Sequence, residues 1–293
     1  MEPMLPQDDP GIRRRRHLFR RRRIPVRMLV PNFFTLLSLF AGLTAIRMAF
    51  ESRYELAVTF VVAAALLDAV DGRAARWLKA QSRFGAELDS LADFVNFGVA
   101  PALIVYTWGL GGLKGFGWVT VMVFASAMGL RLARFNSMLD VEKPKWKNNF
   151  FTGMPAPAGA ITVLLPLYLQ HAGLLSLQSM PALIAIYTLF LAFLLVSTIP
   201  TFSGKNLGGP IRWEYVLPIL VGVGLVMALL VTYPYETLAL TTIAYLAMIP
   251  FSYRQFAQQS ADDERIRQAG EHAATVAGTP NVVEIRGPDA GQR

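Results

Sequence analysis

Beyond residue 28 the sequence settles into long apolar runs broken by short polar stretches. A helix needs roughly 20 apolar residues to cross about 30 Å of hydrocarbon. Runs of that order lie near 28–50, 55–77, 90–109 and 116–135, and again near 154–171, 181–200, 214–232 and 236–252. Turn signals such as HAGLLSLQSMP and TYPYE separate them. The pattern predicts an all-α, polytopic integral membrane protein of about eight spans, with both termini returned to one side.

Composition supports that reading. The 293 residues are 54% hydrophobic and only 16% charged, with mean hydropathy +0.40, too apolar for an ordinary soluble domain of this size. Cysteine is absent, so a metal site would have to use oxygen or imidazole ligands. The net charge of +8 is unevenly spread. The block GIRRRRHLFRRRRIPVR precedes the first apolar run and reads as a juxtamembrane arm attracted to anionic lipid. A nucleic-acid arm is disfavoured because no soluble fold follows, and a cleaved signal peptide because further spans follow and no small-residue cleavage site stands out.

Loop charge sets the expected orientation. Arg73, Arg76, Lys79 and Arg83 fall on one side, with Arg131, Arg134, Lys143, Lys145, Lys147, Lys205 and Arg212. The opposite loops offer little beyond Arg53 and Lys114. Both termini and the 68–93 region are therefore expected to be cytoplasmic, the membrane being the inner or plasma membrane if the source is bacterial. The expected organisation is a basic arm at 1–27, a catalytic membrane core at 28–206, two added spans at 207–253, and a mobile tail at 254–293 with at most a short polar helix.

The stretch DAVDGRAARWLKAQSRFGAELDSLAD interrupts this apolar pattern. Asp68 and Asp71 are three apart near the end of the second run, so they share a helix face; Asp89 and Asp93, four apart, share another. The short intervening loop makes the two helices antiparallel neighbours, so the four carboxylates can converge. An Asp near the bilayer centre costs about 2.5–3.5 kcal/mol, and clustered anions repel one another. Hard divalent cations such as Mg²⁺ or Mn²⁺ offset that charge, and one carboxylate can bridge two ions about 4 Å apart. Gly72 and Gly85 leave room for a ligand to approach the helix backbone. Arg76 offers a planar fork of donors to a phosphate.

These residues form the pattern DxxDGxxARx8GxxxDxxxD, complete from Asp68, Asp71, Gly72, Ala75 and Arg76 to Gly85, Asp89 and Asp93. It resembles the signature of the CDP-alcohol phosphotransferase family of membrane enzymes. The resemblance implies a six-helix core, two metal ions, a CDP-linked donor, transfer of its phospho-group to a hydroxyl, and release of CMP. It implies that Asp68 and Asp89 contact both metals, with Asp71 completing one ion and Asp93 the other. Asp93 would also take the proton of the acceptor hydroxyl. Gly72, Arg76, Ser82 and Gly85 would face the cytidine diphosphate, joined by Asn32 and Thr35 of PNFFT, for which interhelical hydrogen bonding is the alternative. A homodimer is implied by the resemblance alone.

The acceptor rests on other segments. ELDSLADFVNFGVAPA, GLRLARFN, FTGMPAPAGA and STIPTFSGK resemble the branch of that family that uses CDP-diacylglycerol as donor and L-serine as acceptor. Arg131 and Arg134, three apart on one face, could hold an acceptor carboxylate together with Asn136 and Lys205. Choline would call instead for an aromatic box, whereas glycerol phosphate would need similar cations and inositol stays open. The alternative for each cation is simple charge topology. An intramembrane prenyltransferase would be expected to repeat its Asp motif on a distant helix, and no second cluster is found; a cation transporter is the rival outside enzymes. PAPAG around Pro155 and Pro157 reads as a helix start.

Overall fold

The computed structural model describes residues 29–80, 82–138, 150–202 and 215–277. The chain divides after Ala100 into two compact units.

The first unit holds α1 (Leu29–Phe50), α2 (Tyr54–Trp77), α3 (Arg83–Asp93) and a π-helical segment, Phe94–Val99. A three-residue turn with Ser52 at φ 58° reverses the chain between α1 and α2. The two helices then pack along their length through small residues: Ala41, Ala45 and Ala49 on one, Ala57 and Ala64 on the other, all buried. Small side chains let helix backbones approach closely, which matters where surrounding lipid removes the usual hydrophobic drive. Ser82 caps α3, its Oγ accepting the Gly85 N–H at 3.0 Å. The π segment buries Asn96, Phe97 and Gly98.

The second unit begins within α4 (Ala100–Val105) and continues through a π segment at Tyr106–Leu110 and a 3₁₀ turn at Gly111–Leu113. Then come α5 (Gly115–Ser137), β1 (Phe150–Thr152), α6 (Ala156–Val163), α7 (Leu165–His171), α8 (Pro181–Val196), β2 (Pro200–Phe202), α9 (Val216–Thr232) and α10 (Pro234–Ala277). The antiparallel pair β1 and β2, with Phe151 opposite Thr201, is a short ribbon in a fold otherwise made of helices. Helix α5 packs on α8, and α6 closes against both at Gly159, where a Cβ would come within 2.9 Å of Leu195 Cδ2 and 3.1 Å of Met128 Cε.

Among the described residues, three helical segments are long and apolar enough to cross a membrane: Leu29–Phe50, Arg83–Leu113 and Gly115–Ser137. Pro181–Val196 and Val216–Thr232 are shorter apolar helices. Helix α2 has 24 residues, but Asp68, Asp71, Arg73 and Arg76 fall in its C-terminal half. Helix α9 buries none of its residues, and most of its Leu and Val side chains are exposed.

Three elements differ from the hydropathy pattern. The third span starts at Arg83 rather than near 90 and is interrupted by π turns. The run near 154–171 is two helices, starting after Pro155 as PAPAG suggested and broken at Leu164. Pro166 lacks the N–H that a continuous helix would direct at the Thr162 carbonyl, and the Tyr187 hydroxyl of α8 donates there instead at 2.7 Å. Finally, α10 does not stop near 252 but runs on to Ala277, so the beginning of the polar tail continues the last apolar helix.

Candidate active site

The site belongs to the first unit and is assembled by α1, α2 and α3. Asp68 and Asp71 lie one turn apart on α2, and Asp89 and Asp93 lie one turn apart on α3. As a result Asp68, Asp71 and Asp89 each bring an oxygen to within 4.8 Å of the others. Asp93 joins this group as a side-chain hydrogen-bond partner of Asp68. Two carboxyl groups approach in this way only with a proton or a cation between them.

Asp71 is 4% exposed, the most buried of the four. One side of its carboxylate meets the Thr35 hydroxyl and the Gly72 N–H. Its Oδ2 is buried without a hydrogen-bond partner. A buried carboxylate oxygen with no donor is costly. Together with the two neighbouring acids it forms an all-oxygen ligand set that suits Mg²⁺ or Mn²⁺, so the residues present fit the divalent ions that the motif implies.

Beside the carboxylates lies a cleft of about 310 Å³. Asn32, Thr35, Gly72, Arg76, Ser82 and Gly85 all line it, together with Asp71 and Asp89. The expected nucleotide-facing residues are thus brought together, although they come from three separate segments. Gly72 has no atom within 4 Å of where a Cβ would stand, so backbone faces the open cleft. At Gly85 a Cβ would stand 2.9 Å from Asn32 Oδ1 and 3.0 Å from Ser82 Oγ. Glycine therefore keeps the floor between those two polar groups clear. The Thr35 hydroxyl donates to Pro31 O at 3.1 Å within α1, and its oxygen stands beside Asp71 at the cleft.

The expected acceptor residues belong to α5 of the second unit. Arg131 donates from Nε to Met154 O at 3.0 Å, and its guanidinium carbon stands 5.7 Å from the centre of the Phe135 ring. Arg134 donates from Nη1 to Val196 O at 2.6 Å and from Nη2 to Ser197 O at 3.0 Å, closing the C-terminus of α8. Gly153, at φ 79°, makes room for that bridge, since a Cβ there would come within 2.9 Å of Arg134 Nη2. Both arginines therefore hold backbone carbonyls as well as charge. Asn136 is exposed near the end of α5, and Lys205 lies outside the described residues.

Sequence reasoning missed one buried polar chain. Asn96 Nδ2 donates to Ser38 Oγ at 2.8 Å, and Ser38 donates to Ala64 O at 2.9 Å. The available signal was an amide within the apolar segment FVNFGVAPA.

Comparison with known proteins agrees with the geometry. The model of the CDP-alcohol phosphatidyltransferase family matches residues 28–252. A CDP-diacylglycerol–serine O-phosphatidyltransferase of Mycobacterium leprae is 38% identical over 256 residues, covering 85% of this chain and 84% of the relative. The Mycobacterium tuberculosis protein of that name is 41% identical over 229 residues, covering 77% and 78%. The one from Helicobacter pylori is 34% identical over 218 residues, covering 74% and 88%. With the signature intact and its acids gathered beside one cleft, the chain belongs to the CDP-alcohol phosphatidyltransferase family.

Proposed function

We infer that the protein is an integral membrane enzyme that transfers the phosphatidyl group of CDP-diacylglycerol to L-serine, giving phosphatidylserine and CMP. The observation that carries this reading is the convergence of Asp68, Asp71 and Asp89 at a cleft walled by Asn32, Arg76, Ser82 and Gly85. The names of the relatives support serine as the acceptor.

Asp68, Asp71, Asp89 and Asp93 would hold two divalent ions, Mg²⁺ or Mn²⁺. When bound, these ions would offset charge on the pyrophosphate and on the departing CMP. Arg76 and the polar groups of Asn32 and Ser82 orient the cytidine diphosphate, and Gly72 and Gly85 let it lie close to the helices. Asp93 takes the proton from the serine hydroxyl. The serine oxygen attacks the phosphorus bonded to the diacylglycerol oxygen, and the bond from that phosphorus to the CMP oxygen breaks in line. Arg131, Arg134, Asn136 and Lys205 are the proposed partners of the serine carboxylate. The acyl chains stay in the bilayer, so no lipid extraction is required.

Eight spans follow from the apolar runs, and the loop charges support placing both termini and the cleft on the cytoplasmic side. In this reading residues 28–206 form the catalytic core, 207–253 add two spans without chemistry, and the enzyme works as a homodimer.

The test is CMP release by purified protein with CDP-diacylglycerol and Mg²⁺ or Mn²⁺, with L-serine, glycerol phosphate, inositol and choline compared as acceptors. Release stimulated by serine alone and abolished by a chelator is expected. Stimulation by a different alcohol refutes the acceptor, and no release with any of them refutes the enzyme.

A further inference from the structure

The carboxylates of the site come from two helices, and a metal site tolerates little error in their relative register. Helix α3 passes into the π segment Phe94–Val99 directly after Asp93. A π turn closes its hydrogen bonds from i to i+5 and so resets the angular phase of a helix relative to what precedes it. Something must hold that phase, because the segment lies among apolar neighbours that specify shape but not direction.

Asn96 is placed to do so. It is fully buried, stands three residues beyond Asp93, and donates to Ser38 Oγ at 2.8 Å. Ser38 is 1% exposed and donates in turn to Ala64 O at 2.9 Å. Ala64 is the residue whose carbonyl an α-helix pairs with the N–H of Asp68. The chain of bonds therefore runs from the turn after Asp93, across α1, to the turn that carries Asp68. Gly42, one turn beyond Ser38 on α1, completes the arrangement: a Cβ there would collide with Asn96 Oδ1. With no side chain at 42, the carboxamide reaches the hydroxyl.

We propose that Asn96 and Ser38 are positioning residues that lock α3 against α2, so that Asp89 and Asp93 meet Asp68 and Asp71 in a metal-binding register. The proposal rests on the functional reading above but is measured separately from it. Neither residue touches substrate; each acts through the helix that bears the acids. Outer partners of metal ligands commonly tune affinity by about 10- to 100-fold.

The experiment uses the full-length protein in lipid nanodiscs, as wild type, Asn96→Ala, Ser38→Ala and the double variant. Mn²⁺ affinity is read by electron paramagnetic resonance, CMP release by steady-state kinetics, and folding by thermal denaturation. Mn²⁺ affinity should fall by about tenfold, the low end of that range. The kcat should fall with it while the KM for CDP-diacylglycerol changes little. Because the two side chains act in one chain of bonds, the double variant should be no worse than the more damaged single one. A folded Asn96→Ala or Ser38→Ala protein with wild-type Mn²⁺ affinity overturns the proposal, including where thermal stability drops, since that result marks packing alone. Should Asn96→Ala fail to fold, Ser38→Ala, which removes a single oxygen, decides. Wild-type protein that binds Mn²⁺ but releases no CMP refutes the functional reading alone, because the affinity comparison still reads the network; wild-type protein that binds no Mn²⁺ overturns both.

Discussion

Replacing Gly85 with alanine separates donor binding from helix stability, because the two effects have opposite signs. The new Cβ would lie 2.9 Å from Asn32 Oδ1 and 3.0 Å from Ser82 Oγ. Carbon–oxygen contacts normally begin near about 3.3 Å, so both neighbours must yield by a few tenths of an ångström. Ser82 is held by its capping bond from the Gly85 N–H, so Asn32 is the group that turns away. An off-rotamer side chain costs about 0.5–1.5 kcal/mol, and the loss of one net hydrogen bond to the nucleotide a similar amount. The rotamer cost falls on the free protein as well, so the lost hydrogen bond alone acts on binding, about 0.5–1.5 kcal/mol or roughly 2- to 13-fold in the KM for CDP-diacylglycerol. Alanine in place of a helical glycine meanwhile gains about 0.5–1 kcal/mol of stability. CMP release against CDP-diacylglycerol concentration, beside a thermal melt of the same preparation, reads both. The expected protein melts no lower than wild type yet needs more donor. A KM within twofold of wild type would refute the claim that Gly85 keeps nucleotide space open, and a lower Tm would show that the collision is relieved by the helix rather than by Asn32.

Arg134→Ala should lower stability by about 2–3 kcal/mol, because two carbonyls at the end of α8 lose a charged donor; if the residue also holds the acceptor, Arg134→Lys should raise the serine KM more than the CDP-diacylglycerol KM, and equal effects would sink the acceptor role. Tyr187→Phe strips the Thr162 carbonyl of its hydroxyl donor and should cost about 0.6–1.7 kcal/mol in a denaturant titration. Adding Pro166→Ala returns a backbone donor and should recover part of that loss, so an additive or larger deficit would show that the hydroxyl does not compensate for the proline. The chain has no cysteine of its own, so Arg83→Cys and Gly115→Cys can be labelled singly with a membrane-impermeant thiol reagent in intact cells. Only the second should react, and labelling of both would overturn the orientation drawn from loop charges.

What could be read from the sequence, and what could not, follows from the range of each signal. The acids were legible because their spacing is local: intervals of three and four place Asp68 with Asp71 and Asp89 with Asp93, and the short connection between α2 and α3 keeps the two pairs near each other. Gly72, Arg76 and Gly85 became legible through the motif's fixed intervals, Asn32 and Thr35 through PNFFT, and Ser82 through the family resemblance alone. Asn96 and Ser38 were not, since they are 58 positions apart and each alone is one polar residue in an apolar run. Hydropathy also measures transfer to lipid rather than backbone geometry, so it registers neither the π turns after Asp93 nor the break at Leu164. It ended the last helix near 252 because polarity rises there, although a helix need not end where its membrane-facing surface does, and α10 continues to Ala277.

Arg134 shows the opposite limit, a residue whose chemistry was visible while its partners were not. A guanidinium at a cytoplasmic helix end is consistent with charge topology, with an acceptor carboxylate and with capping of a neighbouring helix. Spacing cannot separate these, because the deciding atoms, the carbonyls of Val196 and Ser197, lie more than sixty residues away. The structure supplies the capping role, and Gly153 becomes intelligible with it: FTGMP needs glycine where the chain turns at positive φ under the guanidinium. The carbonyls of Val196 and Ser197 hold the guanidinium in place whatever else it does, so the serine KM of Arg134→Lys, and not the position of the side chain, decides the acceptor role.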